Sequence, residues 1–174
     1  MKKNGITKGF VLTLAAVLMY SLVWAQEKAS PSATAKGKSG GATITISYSS
    51  PSVKGRKIWG DLVPYDRAWR AGANEATIFE TDQAIKVEGM PLPAGKYSLF
   101  AIPGEKEWTI ILNSETGQWG IKRGGKANYD PSKNVVSVKV KPKSGKMTER
   151  LTYDITAPGF VLRWEKLEVP VTVK

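Results

Sequence analysis

Lys96-Tyr97-Ser98-Leu99-Phe100-Ala101-Ile102-Pro103-Gly104-Glu105-Lys106-Glu107-Trp108-Thr109-Ile110-Ile111-Leu112 reads as two strands and the turn between them. Both ends are short, rich in aromatic and β-branched residues, and bounded by Pro and Gly, and neither carries a helical period. Pro103-Gly104-Glu105-Lys106 is the turn, so residues 107–112 return as the antiparallel partner of 96–102. Both faces of 96–102 are largely apolar, which places that strand in the interior of a sheet.

The pattern continues in both directions. Upstream, Ile44, Ile46 and Tyr48 alternate with Thr43, Thr45 and Ser47, and further short runs cover 77–81 and 84–88. Downstream, Val136, Val138 and Val140 alternate with Ser137, Lys139 and Lys141. The same period of two runs through Leu151-Tyr153-Ile155, Phe160-Leu162-Trp164 and Leu167-Val169-Val171-Val173, where Pro170 argues for an edge strand. No amphipathic helix of useful length occurs. Pro64 is placed to open one short helical turn through Asp66, Arg67, Ala68 and Trp69, with Gly72 to close it. The expected fold is all-β, an antiparallel β-sandwich or jelly-roll-like domain of roughly eight to ten short strands with at most one short helical turn. Asn113–Lys133 is a long loop with turn chemistry and embedded Trp119 and Tyr129, and loops of this length are usually functional or mobile.

The first residues read as a targeting segment. Lys2, Lys3 and Lys8 precede the apolar run Phe10–Val23, and Val23-Trp24-Ala25 resembles a small-x-small cleavage site. The run of roughly 14 residues is short of the ~20 that a spanning helix needs. Residues 1–25 are therefore expected to be a secretory signal peptide, 26–41 a flexible linker rich in Ala, Ser, Lys and Gly, and 42–174 a single domain. No transmembrane span is expected after cleavage.

Composition closes off several chemistries. The 174 residues include no Cys and no His. Disulfides, thiolate nucleophiles, lipid attached to cysteine and a Ser-His-Asp triad are impossible, and zinc or copper sites on nitrogen or sulfur are not expected. An exported chain without cysteine suits a bacterial envelope protein, periplasmic or extracellular and not a lipoprotein. Without the three leader lysines, 23 basic residues face 15 acidic ones, a net charge of +8. That excess suits an anionic partner, or a solvated face with sheet edges protected by Lys. Export argues against nucleic acid.

Trp69-Arg70-Ala71-Gly72-Ala73-Asn74-Glu75-Ala76-Thr77 concentrates an indole, a guanidinium, an amide, a carboxylate and a hydroxyl just before a strand. With Arg56 and Trp59 from the preceding loop, the ligand-binding candidates are Arg56, Trp59, Trp69, Arg70, Asn74 and Glu75. An aromatic beside Arg and Glu suits sugar stacking and hydroxyl recognition, whereas an Arg70–Glu75 ion pair would instead close a structural corner. Any catalytic role would fall first to Glu75 as acid or base. Asp61, Asp66 and Glu75 offer carboxylates for a glycosidase pair, but their spacing sets no distance. No metal ligand set and no cofactor motif is present.

Three blocks are similar to successive motifs of the DUF2911 family: Ser49-Ser50-Pro51-Ser52-Val53-Lys54-Gly55-Arg56-Lys57-Ile58-Trp59-Gly60 with Leu62-Val63-Pro64-Tyr65, the Trp69–Thr77 stretch, and Leu92-Pro93-Ala94-Gly95 running into Lys96–Pro103. Glu107–Asn113 and Gln118-Trp119-Gly120 fit as well, so the resemblance spans roughly Ala42 to Val173. It implies an exported protein of the Bacteroidetes type and carries over neither an activity nor site residues. The function expected is a non-catalytic envelope module that binds a glycan or another polar or anionic small ligand. A carboxylate-dependent glycan hydrolase or lyase, and a structural or assembly protein of the envelope, remain as alternatives.

Overall fold

The computed structural model describes residues 29–174. The signal-peptide reading lies outside them. The strands in order are β1 (Ser32–Ser39), β2 (Ala42–Ser49), β3 (Ala73–Thr81), β4 (Ile85–Val87), β5 (Met90–Leu92), β6 (Gly95–Ile102), β7 (Trp108–Asn113), β8 (Asn134–Val140), β9 (Lys143–Thr156) and β10 (Gly159–Thr172). The class is all-β and antiparallel, as the alternation predicts. Six strands form one sheet in the order β1-β2-β3-β6-β7-β8, β9 and β10 form a long ribbon, and β4 and β5 a small hairpin. No helix among the described residues is long and apolar enough to cross a membrane.

β6 lies inside the sheet between β3 and β7, which explains why both of its faces are apolar. On one face Leu99, Ala101, Ile110, Leu112 and Val136 share a core with Leu151, Phe160, Leu162 and Trp164 of the ribbon. On the other, Phe100 and Ile111 are covered by Ala127 and Tyr129 of the long loop. The fold is thus a sandwich whose second layer is the ribbon, with the 113–133 loop as a partial third cover.

Part of the expected linker is a strand. Ser32–Ser39 pairs in continuous register with β2, from Ser32 opposite Ser49 to Ser39 opposite Ala42. Its inner face is Ala33, Ala35 and Gly37, with Gly37 tight against Ile155, and its outer face is Ser, Thr and Lys, so the period of two is present but carried by residues too small to read as apolar. Gly40 and Gly41, with φ of 59° and 83°, make the two-residue turn that a tight hairpin requires. The helical turn expected at Pro64–Trp69 does not form either. Trp69 N donates to Ala101 O (2.7 Å) and Ala101 N to Trp69 O (2.9 Å), so this backbone is drawn into a sheet bridge rather than a helix. The single 3₁₀ turn among the described residues is Pro131–Lys133, capped by the Asp130 side chain, which accepts from Ser132 N.

The apolar phase switches from even to odd positions between Trp164 and Leu167, and the structure absorbs the switch inside one strand. Glu165 has a φ of 54° and the register with β9 shifts on both sides of it. This is a bulge, which bends the strand and inverts its faces. β10 curls so far that its end meets its own beginning, where Val173 N donates to Pro158 O (2.7 Å). Pro170 lies past the last β9 partner, Lys143, where its missing N–H breaks no ladder.

Candidate functional site

The corner before β3 is held from below. Ala71 sits in the left-handed region with φ 52°, and its carbonyl accepts from Thr77 Oγ1 (3.1 Å) and from the buried Tyr153 hydroxyl (2.7 Å). The Trp69 indole donates to Gly72 O at 3.1 Å. Burial, with a smaller contribution from Tyr48, pushes the Tyr153 hydroxyl well above its ordinary value. The folded state therefore keeps this proton while an unfolded tyrosine loses it near pH 10. The resulting stability is complete below that pH and is lost as pH rises from there toward the folded value. Tyr153→Phe should lower stability by about 1–2 kcal/mol at neutral pH, through a lost buried hydrogen bond. The difference between wild type and variant should shrink above pH 10, as read by urea unfolding at each pH.

The six residues singled out in the sequence do not form one face. Trp59 is a core residue, edge-on to Trp108 (4.9 Å between centroids), Trp164 (5.7 Å) and Trp69 (5.9 Å). Arg56 turns back on its own loop and donates to Val53 O and Ser52 O. Asn74 donates to Ser30 O and Ser49 Oγ, both at 3.2 Å. Glu75 is exposed and accepts from Ser49 Oγ at 3.4 Å, in a shallow groove with Ser47 and Tyr48. Only Trp69 and Arg70 line the principal cleft. The expected Arg70–Glu75 ion pair is absent among the described residues, because the left-handed Asn74 (φ 57°) lies between the two and their side chains line different pockets.

That cleft has a volume of about 610 Å³. Residues 62–70 form one wall and residues 121–129 the other. The first wall is fixed by the Trp69–Ala101 bridge and by Asp66 N donating to Pro103 O at 2.8 Å. The second is a flap, a small hairpin in which Ile121 pairs with Ala127 and Lys122 N donates to Lys126 O at 2.8 Å. Its base is tied down. Asn113, wholly buried, donates to Asp130 O and Asn134 Oδ1, both at 2.8 Å, and accepts from Glu115 N, so one side chain gathers both ends of the loop. Ala76 N donates to Gln118 O and Gly120 N to Asn74 O, extending the sheet into the loop.

The electrostatics of the cleft have one sign. Arg67, Arg70 and Lys126 line it, and among the described residues no carboxylate does. Arg70 is partly buried, its Nε is sealed from solvent without a hydrogen-bond partner among the described residues, and desolvation lowers its affinity for its proton. Its stem lies against Gly120, where a Cβ would fall on Arg70 Cδ and within 2.8 Å of Asn74 O, so only glycine leaves room for it. Trp69 and Tyr129 supply aromatic surface, each with another ring packed against it, Trp164 at 5.9 Å and Phe100 at 4.8 Å respectively. No group of three or more acidic residues that would hold a metal ion occurs among the described residues.

A family model described as a protein of unknown function, DUF2911, matches residues 30–173. The chain belongs to the DUF2911 family. The matched span includes β1, so the family domain starts ahead of Ala42, and it contains every residue of the cleft. No curated protein and no solved structure matches the chain. Within this DUF2911 domain, Arg67, Lys126 and Tyr129 are cleft residues that the sequence did not single out. The signal for Lys126 and Tyr129 lay in the long loop, where Lys122, Arg123 and Lys126 surround Gly124-Gly125, but nothing local pairs that loop with Arg67 and the rest of residues 62–70.

Proposed function

We propose that this DUF2911 protein is a non-catalytic binding module of the bacterial cell envelope whose cleft takes a small anionic ligand, such as a sugar bearing a carboxylate. The leader-like layout of residues 1–25 supports the envelope setting. The observation that carries the ligand class is Arg70, a partly buried guanidinium that makes no ion pair among the described residues, in a cleft lined by cations and aromatic rings but, among those residues, by no acid. Partly burying a guanidinium without a counter-charge is unfavourable, and a carboxylate arriving in the cleft supplies that charge. A volume of about 610 Å³ lies within the usual range for small-molecule sites. The carboxylate-dependent hydrolase or lyase reading gains no support here, since its acid and base carboxylates would have to line the cleft and none does among the described residues.

Calorimetric titration with galacturonate and with neutral galactose tests this. Galacturonate should bind and galactose should not. Arg70→Met should weaken galacturonate binding by about 10- to 100-fold, the range for a lost charge-assisted hydrogen bond. The same variant should be at least as stable as the wild type, because it removes a desolvated charge. Glu75→Ala should leave binding unchanged. Equal binding of galactose, or full affinity in Arg70→Met, would refute the assignment.

A further inference from the structure

The flap presents more positive charge than one carboxylate requires. Lys122 and Lys126 face each other across its two arms, Arg123 sits at the tip, and Gly125 N donates to Lys122 O to close the turn. All three are exposed, and none makes an ion pair among the described residues. Asp130 lies within Coulombic reach of Lys122, and its carboxylate is already engaged by Ser132 N (3.0 Å) and Ser132 Oγ (2.7 Å). Three unpaired cations within one short turn give the tip a positive potential that favours an anion. Arg70 lies apart from the tip at the base of the flap, against Gly120.

Resting on the anion-binding reading above, we propose that the ligand is an acidic oligosaccharide carrying at least two negative charges set apart along its length. Arg70 takes one carboxylate beside Trp69. Lys122 and Arg123, at the flap tip just beyond the cleft lining, take the next, and Lys126 adds positive charge on the cleft wall. Trp69 and Tyr129 add the apolar surface on which sugar rings pack, which a compact inorganic anion would not use. The flap tip is then a specificity element for chain length. The Gly124-Gly125 pair, with φ of 95° and 81° and open space around both, lets the tip adjust over the ligand.

Titration of the protein with galacturonate and digalacturonate, at low and at raised salt, separates the possibilities. Digalacturonate should bind about tenfold more tightly than galacturonate, as expected for one or two additional rim ion pairs. Its affinity should fall more steeply with salt. The double variant Lys122→Ala/Arg123→Ala should remove this preference while leaving galacturonate affinity unchanged. Equal affinity for the two saccharides, or a preference that survives in the double variant, overturns the inference but leaves the anion-binding reading standing. Failure of both to bind overturns both. Competition by phosphatidylglycerol vesicles as effective as that by digalacturonate would replace the saccharide with a lipid surface and overturn the inference as well.

Discussion

Trp108→Ala is expected to lower the stability of the domain by about 3–5 kcal/mol, the range for deleting a large aromatic side chain from a packed interior. Trp108 is fully buried and opens β7. Its ring lies 4.9 Å from Trp59 and 6.4 Å from Trp69, within a cluster that Trp164 completes from the ribbon. The four indoles join the sheet, the ribbon and the first cleft wall, so a void at Trp108 loosens all three together. Three of them, Trp59, Trp108 and Trp164, bury an indole N–H without a hydrogen-bond acceptor. Their edge-on arrangement directs the positive edge of one ring at the face of another, which partly compensates for that. Trp108→Phe keeps most of the volume and should lose clearly less. Denaturant unfolding followed by circular dichroism gives both values, and a loss below about 1 kcal/mol in the alanine variant would contradict the central place assigned to this cluster.

Gly159→Ala should be at least as damaging, with a loss of more than about 3 kcal/mol or failure to fold. Gly159 starts β10 with a φ of 150°, and the curled end of the same strand passes directly over it. A Cβ there would fall on the Val171 carbonyl oxygen and within 2.9 Å of Val173 N. Both obstacles are backbone atoms, so no change of rotamer relieves the clash. Relief would require the Val173-to-Pro158 hydrogen bond to open and the ribbon to unroll from the sheet. Gly41→Ala is the matching control, because Gly41 also has a positive φ (83°) but open space around its missing Cβ. It should lose only the local backbone strain, about 1–2 kcal/mol. If the two variants proved equally mild, β10 would not close on its own start.

Much of the fold is legible in the residues themselves. The inward faces of β2, β8 and β10, such as Ile44 and Ile46 or Val136, Val138 and Val140, follow from alternation, because a strand presents every second side chain to the same layer. The interior position of β6 follows from its two apolar faces. β1 is the exception. Its inner face, Ala33, Ala35 and Gly37, is too small to register as apolar beside Thr34, Lys36 and Lys38, although Gly40-Gly41 ahead of Ala42 is itself a hairpin signal. The switch from even to odd apolar positions near Glu165 marks a bulge, yet nothing local says whether such a slip breaks a strand or bends it.

The candidate site divides along the same line. The sequence by itself determined that polar and aromatic groups gather around residues 69–77, that cysteine and histidine chemistry is excluded, and that the 113–133 loop is unusually long, with Trp119 and Tyr129 embedded in it. Only the tertiary structure decided which of these groups meet. Arg70 and Glu75 are close neighbours in sequence, yet they line different pockets across the left-handed Asn74. Arg70 and Lys126 are far apart in sequence, yet they line one cleft, because Asn113 and the Asn74–Gly120 hydrogen bond hold the loop against the end of β3. Side-chain alternation is a property of a few consecutive residues and can be read locally. A cleft is made by segments whose proximity depends on sheet order and on hydrogen bonds over long separations, and no local period encodes either.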